Sequence, residues 1–128
     1  MLIAHDPSTV SKPVSLFAHA IEVPPHARWL YVSGQVGVGL DGKMRDGIEA
    51  QCEQAWRNLF AIVEAAGMNK SDLVRVNSYL VDARDVAVFR TVRDRLLAPT
   101  RAASTLVVVR ALASPQWLVE IEAVAAKG

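Results

Sequence analysis

The C-terminal run Leu118-Val119-Glu120-Ile121-Glu122-Ala123-Val124-Ala125 alternates with period two, which predicts a strand over residues 118–125. Val119, Ile121 and Ala123 share one face of it, Glu120 and Glu122 the other. A carboxylate among β-branched neighbours is costly to bury without a partner. Glu120 therefore either faces water on a half-solvated antiparallel strand or lies in a cleft that uses its charge.

The rest of the chain supplies the frame for that strand. Residues 1–13, with Pro7, Ser8, Thr9, Ser11 and Pro13, read as an irregular lead-in. Residues 17–23 predict a strand, Pro24-Pro25-His26-Ala27 a turn, and residues 28–34 a second strand, with a further turn signal at Asp41-Gly42. From Gly47 the period becomes helical. Ile48, Cys52, Ala55, Leu59, Ile62, Val63 and Ala66 fall on one face, with Asp46 placed to cap the start and Gly67 to stop the end. Residues 73–81 predict a third strand. Asp82 is placed to cap a second helix whose buried face is Val86, Phe89, Val92, Leu96 and Leu97. Its Arg84, Arg90, Arg93 and Arg95, interleaved with Asp94, read as a solvated face. Residues 105–110 and 118–125 supply the last two strands. The order β-β-α-β-α-β-β predicts a single α+β domain over residues 1–128, a mixed sheet with both helices on one face. The other sheet face is left open, and an open face with apolar surface calls for a partner subunit.

Composition narrows the function classes. A chain of 128 residues with 52% hydrophobic and 21% charged residues is one globular domain with a surplus of apolar surface. The net charge of +1 argues against a nucleic-acid or membrane binder, which concentrates like charge. One cysteine excludes an internal disulfide and fits a reducing compartment. The N-terminus lacks a basic segment followed by an apolar run, and no apolar stretch approaches a membrane span, so the expected location is the cytoplasm.

Several chemical-looking signals lack their context. Gly37-Val38-Gly39-Leu40-Asp41-Gly42 satisfies G-x-G-x-x-G, but its third glycine sits in a turn and does not open a helix. His5, His19 and His26 have no metal-ligand spacing with Cys52 or an acid pair, so no metal is expected. Cys52 lies on an apolar helix face and reads as core. Ser33 has no Gly-x-Ser-x-Gly setting. Trp29, Trp56 and Trp117 form no stacking stripe with basic residues.

One set of residues does cohere. Tyr31-Val32-Ser33-Gly34-Gln35-Val36-Gly37 is followed by Gln51, Ala55, Asn58, Leu59, Ile62 and Glu64-Ala65-Ala66-Gly67. Ser71-Asp72-Leu73-Val74-Arg75-Val76, Leu80-Val81-Asp82, Phe89 and the ending Val119-Glu120-Ile121-Glu122-Ala123-Val124-Ala125 continue the series. In order and spacing this resembles the reactive-intermediate deaminase (Rid, YjgF-type) family over nearly the whole chain from about Phe17.

The resemblance implies a chorismate-mutase-like fold assembled as a homotrimer with ligand clefts between subunits. It also implies hydrolysis of small enamines and imines to carbonyl compounds and ammonia, with no cofactor. An arginine would clamp the substrate carboxylate, and a glutamate in the last strand would hold the attacking water. Glu120 matches that glutamate, and Ser33 and Gly34 match the cleft-lining segment. Phe17 stands where a tyrosine is usual, so a hydroxyl is missing. Pro99-Thr100-Arg101-Ala102 resembles the arginine run, yet counting back along the strand from Val109 puts Ser104 at the arginine's place. Arg101 then has the opposite side-chain parity and needs an insertion or bulge to reach the cleft. Two functions follow: a substrate-shifted enamine or imine deaminase, or a non-catalytic trimer that binds small carboxylate or carbonyl metabolites in a regulatory or scavenging role. Some relatives have been described as ribonucleases, a role that the balanced charge disfavours.

Overall fold

The last strand of the chain lies inside the sheet, and that placement organises everything around it. The computed structural model describes residues 1–128. Strand β3 (Arg28–Gln35), helix α1 (Ile48–Ala65), strand β4 (Leu73–Leu80), helix α2 (Val86–Leu97), strand β5 (Ala103–Val108) and strand β6 (Val119–Lys127) form the body. The sheet order is β3-β6-β4-β5. Strand β6 runs antiparallel to both β3 and β4, whereas β4 and β5 are parallel, so the sheet is mixed as predicted.

Because β6 is flanked on both sides, its inward residues are sealed. Val119, Ile121 and Ala125 are fully buried, and they share one core with Cys52, Ala55, Trp56, Leu59 and Val63 of α1 and Phe89, Val92 and Leu97 of α2. The period-two expectation at residues 118–125 and the two-helix layer both hold.

The N-terminal region departs from expectation. Residues 1–13 contain strand β1 (Ile3–His5), which pairs antiparallel with β2 (Ala20–Glu22) in a separate two-stranded ribbon. The strand expected over residues 17–23 is shortened to β2. Ala18 makes its own parallel bridge to Ala103 instead, its N–H donating to the Ala102 carbonyl at 3.0 Å. Strand β5 begins two residues earlier than expected because its register with β4 extends back to Arg75–Ala103, where alanines conceal the strand in sequence.

Four smaller corrections concern the helices. Gly47, not Asp46, is the N-cap of α1, with no side-chain cap. Asp82 caps a short 3-10 turn, Ala83–Asp85, that precedes α2, accepting from the Arg84 N–H at 2.9 Å. Ile62 is exposed, and Trp56 takes the core position in its place. Arg93 is buried rather than solvated. Its guanidinium donates to Ser15 Oγ and to Asp94 Oδ1 (2.9 Å), and it lies over the Phe89 ring.

Candidate active site

Strand alternation assigns the faces. With Val119, Ile121 and Ala123 on the helix side, Glu120 and Glu122 stand on the open side, half-buried. Flanking them on that face are Tyr31 and Ser33 of β3 and Arg75, Asn77 and Tyr79 of β4, with Thr105 and Val107 of β5 beyond.

The β3–β6 ladder is regular as far as Val32–Ala123 and resumes at Gln35–Ile121, so Ser33 and Gly34 occupy an irregularity of the pairing. Irregularities of this kind re-aim side chains next to sites. Here the consequence is concrete: a Cβ on Gly34 would overlap the Glu120 carboxylate, which rests directly on the glycine backbone. Glycine lets the carboxylate keep that position, and any side chain there would push it aside. No ion pair of the protomer includes Glu120.

Two residues along, Glu122 sits in a different setting. It accepts the Tyr79 hydroxyl at 2.5 Å and is approached by Asn77 Nδ2 at 3.4 Å. Accepting that proton raises the Tyr79 phenol above its ordinary value, aided by desolvation. Asn77 Oδ1 is buried with no partner, and Arg75 donates to Thr105 Oγ1 at 2.9 Å. Glu122, Asn77 and Arg75, together with Tyr31 and Ser33, line a cleft of about 250 Å³. Glu122, Tyr79, Asn77 and Arg75 escaped the sequence reading as site residues. The signal was available, since Arg75, Asn77 and Tyr79 alternate along one face of their strand and Glu122 shares the face of Glu120.

The buried Gln51 and the half-buried Asn58 hold the segments that carry Glu120 and Gly34. Gln51 Oε1 accepts from the Leu118 N–H at 2.9 Å, two residues before Glu120, while its Nε2 donates to the Gln116 and Arg45 carbonyls. Asn58 Nδ2 donates to the Val36 and Val38 carbonyls. Gly37 packs so closely on Gln51 that a Cβ would meet its backbone, which accounts for the first glycine of the apparent G-x-G-x-x-G. The motif is loop packing.

The remaining predicted residues lie elsewhere. Arg101 precedes β5 and pairs with Asp6 at 2.5 Å. Phe17 contacts His19 edge-on beside the Ala18–Ala103 bridge. Ser104 pairs with the buried Val76, so it takes the helix-side parity and Thr105 the open side. Ala103 aligns with Arg75 on β4 and Glu120 with Tyr79, a separation of about 13 Å along the strand. Within one protomer, then, Ser33, Gly34 and Glu120 form one group, and Phe17, Arg101 and Ser104 lie at the opposite edge of the sheet. Cys52 is core, and burial pushes its thiol up to about 12. No three His, Cys, Asp or Glu side chains converge as a metal site, and no helix is long and apolar enough to cross a membrane.

Comparison with known proteins agrees with this architecture. A RutC family protein of Pyrococcus horikoshii is 32% identical over 118 residues, covering 91% of this chain and 90% of that one. A 2-iminobutanoate/2-iminopropanoate deaminase of Dermatophagoides farinae is 30% identical over 102 residues, 74% of each chain. Among solved structures, the Rid-family protein YyfB of Yersinia pestis, of unknown function, superposes with a TM-score of 0.88 at 30% identity over 98% of both chains. The family model described as Endoribonuclease L-PSP matches residues 9–127, and the chain belongs to that family, the Rid or YjgF-type proteins.

Proposed function

We propose that this protein hydrolyses small reactive enamines or imines to a carbonyl compound and ammonia, at clefts completed between copies of a homotrimer. The observation that carries the reading is Glu120: a half-buried carboxylate seated on Gly34 beside Ser33, on an open sheet face, with no cation on it. An imine carbon is already electrophilic, so the reaction needs a positioned water and one general acid/base. Water oxygen bonds to the imine carbon as Glu120 takes one water proton and hands it to the nitrogen, giving a carbinolamine. Glu120 then takes the hydroxyl proton as the C=O bond forms and passes it to the nitrogen as the C–N bond breaks, so that ammonia leaves and the carboxylate is regenerated. No cofactor enters the scheme.

The division of the candidate residues supports an intersubunit site. Gly34 and Ser33 lie on one edge strand, and Arg101, Ser104 and Phe17 lie by the other. A head-to-tail contact joins unlike edges of successive copies, and such contacts close into rings. Trp29, Tyr31 and Val107, exposed on the same open face, supply apolar surface for that contact. Light scattering is expected to give about three times the 13.9 kDa chain mass. A monomer would overturn the shared cleft.

The activity test follows decay of an imine released in situ by an oxidase, with semicarbazide as the competing trap. Acceleration over buffer supports the hydrolase. No acceleration of either an amino-acid-derived or an amine-derived imine overturns it. It would leave the second reading, a trimer that binds small carbonyl or carboxylate metabolites, which is favoured by Phe17 standing where the resemblance expects a hydroxyl.

A further inference from the structure

The N-terminal segment, read from sequence as irregular, delivers a carboxylate to Arg101. Asp6 follows β1 directly, and the β1–β2 pairing of His5 with Ala20 fixes its position. Its Oδ2 accepts from Arg101 Nη2 at 2.5 Å, and its Oδ1 accepts from the His19 backbone N–H at 2.8 Å. Both side chains are partly shielded, at 24% exposure for Asp6 and 38% for Arg101. The His19 ring adds a second tether, bonding to the Ser11 carbonyl at 2.6 Å. The aspartate is thus held on the arginine by its own strand and by a main-chain donor.

From this geometry we infer that Asp6 is a specificity-determining residue, which neutralises Arg101 so that the cleft takes imines without a carboxylate in preference to 2-imino acids. The inference rests on the hydrolase reading above for the chemistry, but not for the charge balance. An arginine that serves as a carboxylate clamp must offer its donors to the substrate. Here one donor is taken by a carboxylate of the chain, and an incoming carboxylate on the same guanidinium would lie within a few ångströms of Asp6, where like charges repel. The surroundings fit a neutral guest. Arg101 is the one charged residue lining a cleft of about 340 Å³, where Leu2, Ala4, Ile21 and Leu73 stand beside Ser71 and Thr100. The Asp6 carboxyl is also held below the usual carboxylate range, by the His19 N–H and then by Arg101, so it is ionised throughout the neutral range.

The test compares two imines of matched side chain, one released from an amino acid by an amino acid oxidase and one from the corresponding monoamine by an amine oxidase. Wild-type protein is expected to accelerate the monoamine-derived imine more than the 2-imino acid. Asp6→Asn keeps an oxygen for the His19 N–H but removes the charge, and is expected to shift the ratio of the two rates toward the 2-imino acid by about tenfold. A ratio that does not move overturns the proposal. A second arm needs no turnover. Calorimetric titration with 2-oxobutanoate is expected to show about tenfold tighter binding to Asp6→Asn than to wild type, a gain lost when Arg101→Ala is added. Equal affinity for wild type and Asp6→Asn overturns the charge assignment. The binding gain without any imine turnover retains the assignment and refutes the hydrolase alone.

Discussion

Glu120 and Glu122 stand two residues apart on the same face of the same strand, yet the protein treats them differently. Glu122 is engaged by the Tyr79 hydroxyl and by Asn77 Nδ2, so its charge is committed to the sheet. Glu120 lies over a glycine at an interruption of the β3–β6 ladder, and no ion pair satisfies it. A carboxylate already accepting strong hydrogen bonds is a poor proton acceptor, whereas one held in place but unpaired is ready to take a proton from water. On the proposed function, the difference between a structural and a chemical acid would be set by the neighbouring strand, not by the acid itself.

The sharpest way to break this comparison is to remove each charge in turn. Glu120→Gln is expected to lower imine hydrolysis by about a hundredfold, the usual yield of a positioned general base, with little change in melting temperature. Glu122→Gln is expected to do the reverse, weakening the fold by about 1 kcal/mol while retaining most of the activity. Steady-state rates and thermal melts of the two variants check both halves. Equal activity losses would mean that the two acids work as one unit.

A smaller effect isolates geometry from charge. Gly34→Ala leaves both carboxylates in the chain but puts a methyl group where the Glu120 side chain rests. The flexible end of Glu120 moves aside at low cost to the fold, and hydrolysis is expected to fall about tenfold from loss of position alone. Glu122 lies outside that displacement, so its bond to Tyr79 should persist. A fully active Gly34→Ala would show that the close approach to the glycine is not used.

The legible and illegible parts of this chain divide along the same physical line. Alternation at Val119, Ile121 and Ala123 was readable because burial enforces period two, and the helices were readable from Cys52, Ala55, Leu59 and Val63. Glu120, Ser33 and Gly34 came from motif resemblance, and the structure brings those three together. Partners across the sheet were not readable. Nothing local in sequence tells Glu122 that Tyr79 and Asn77 will lie opposite it, since those contacts exist only once β6 inserts between β3 and β4. Arg93 was misplaced for a related reason: a cation on a charged helix looks solvated until the segment carrying Ser15 folds over it. Asp6 is the extreme case, 95 residues from Arg101 and outside any strand signal.

The finest probe of the comparison is the titration of Tyr79. Its hydroxyl donates to Glu122, and ionising it would leave a phenolate facing a carboxylate with no proton between them. The phenol therefore keeps its proton above its ordinary value of 10.0, first through the Glu122 hydrogen bond, then through desolvation and the Glu122 charge, with the charge of Glu120 a smaller contribution. The native state thus retains a proton that the unfolded chain releases near pH 10, so this contribution to stability is complete below that pH and declines as pH rises beyond it. The chain has two tyrosines, and a Tyr31→Phe background leaves Tyr79 as the one reporter of tyrosinate absorbance. In that background Glu122→Gln is expected to bring the Tyr79 midpoint down, and Glu120→Gln to move it in the same direction by less. Equal shifts would erase the distinction between the two carboxylates, and no shift in Glu122→Gln would remove the hydrogen bond on which the distinction rests.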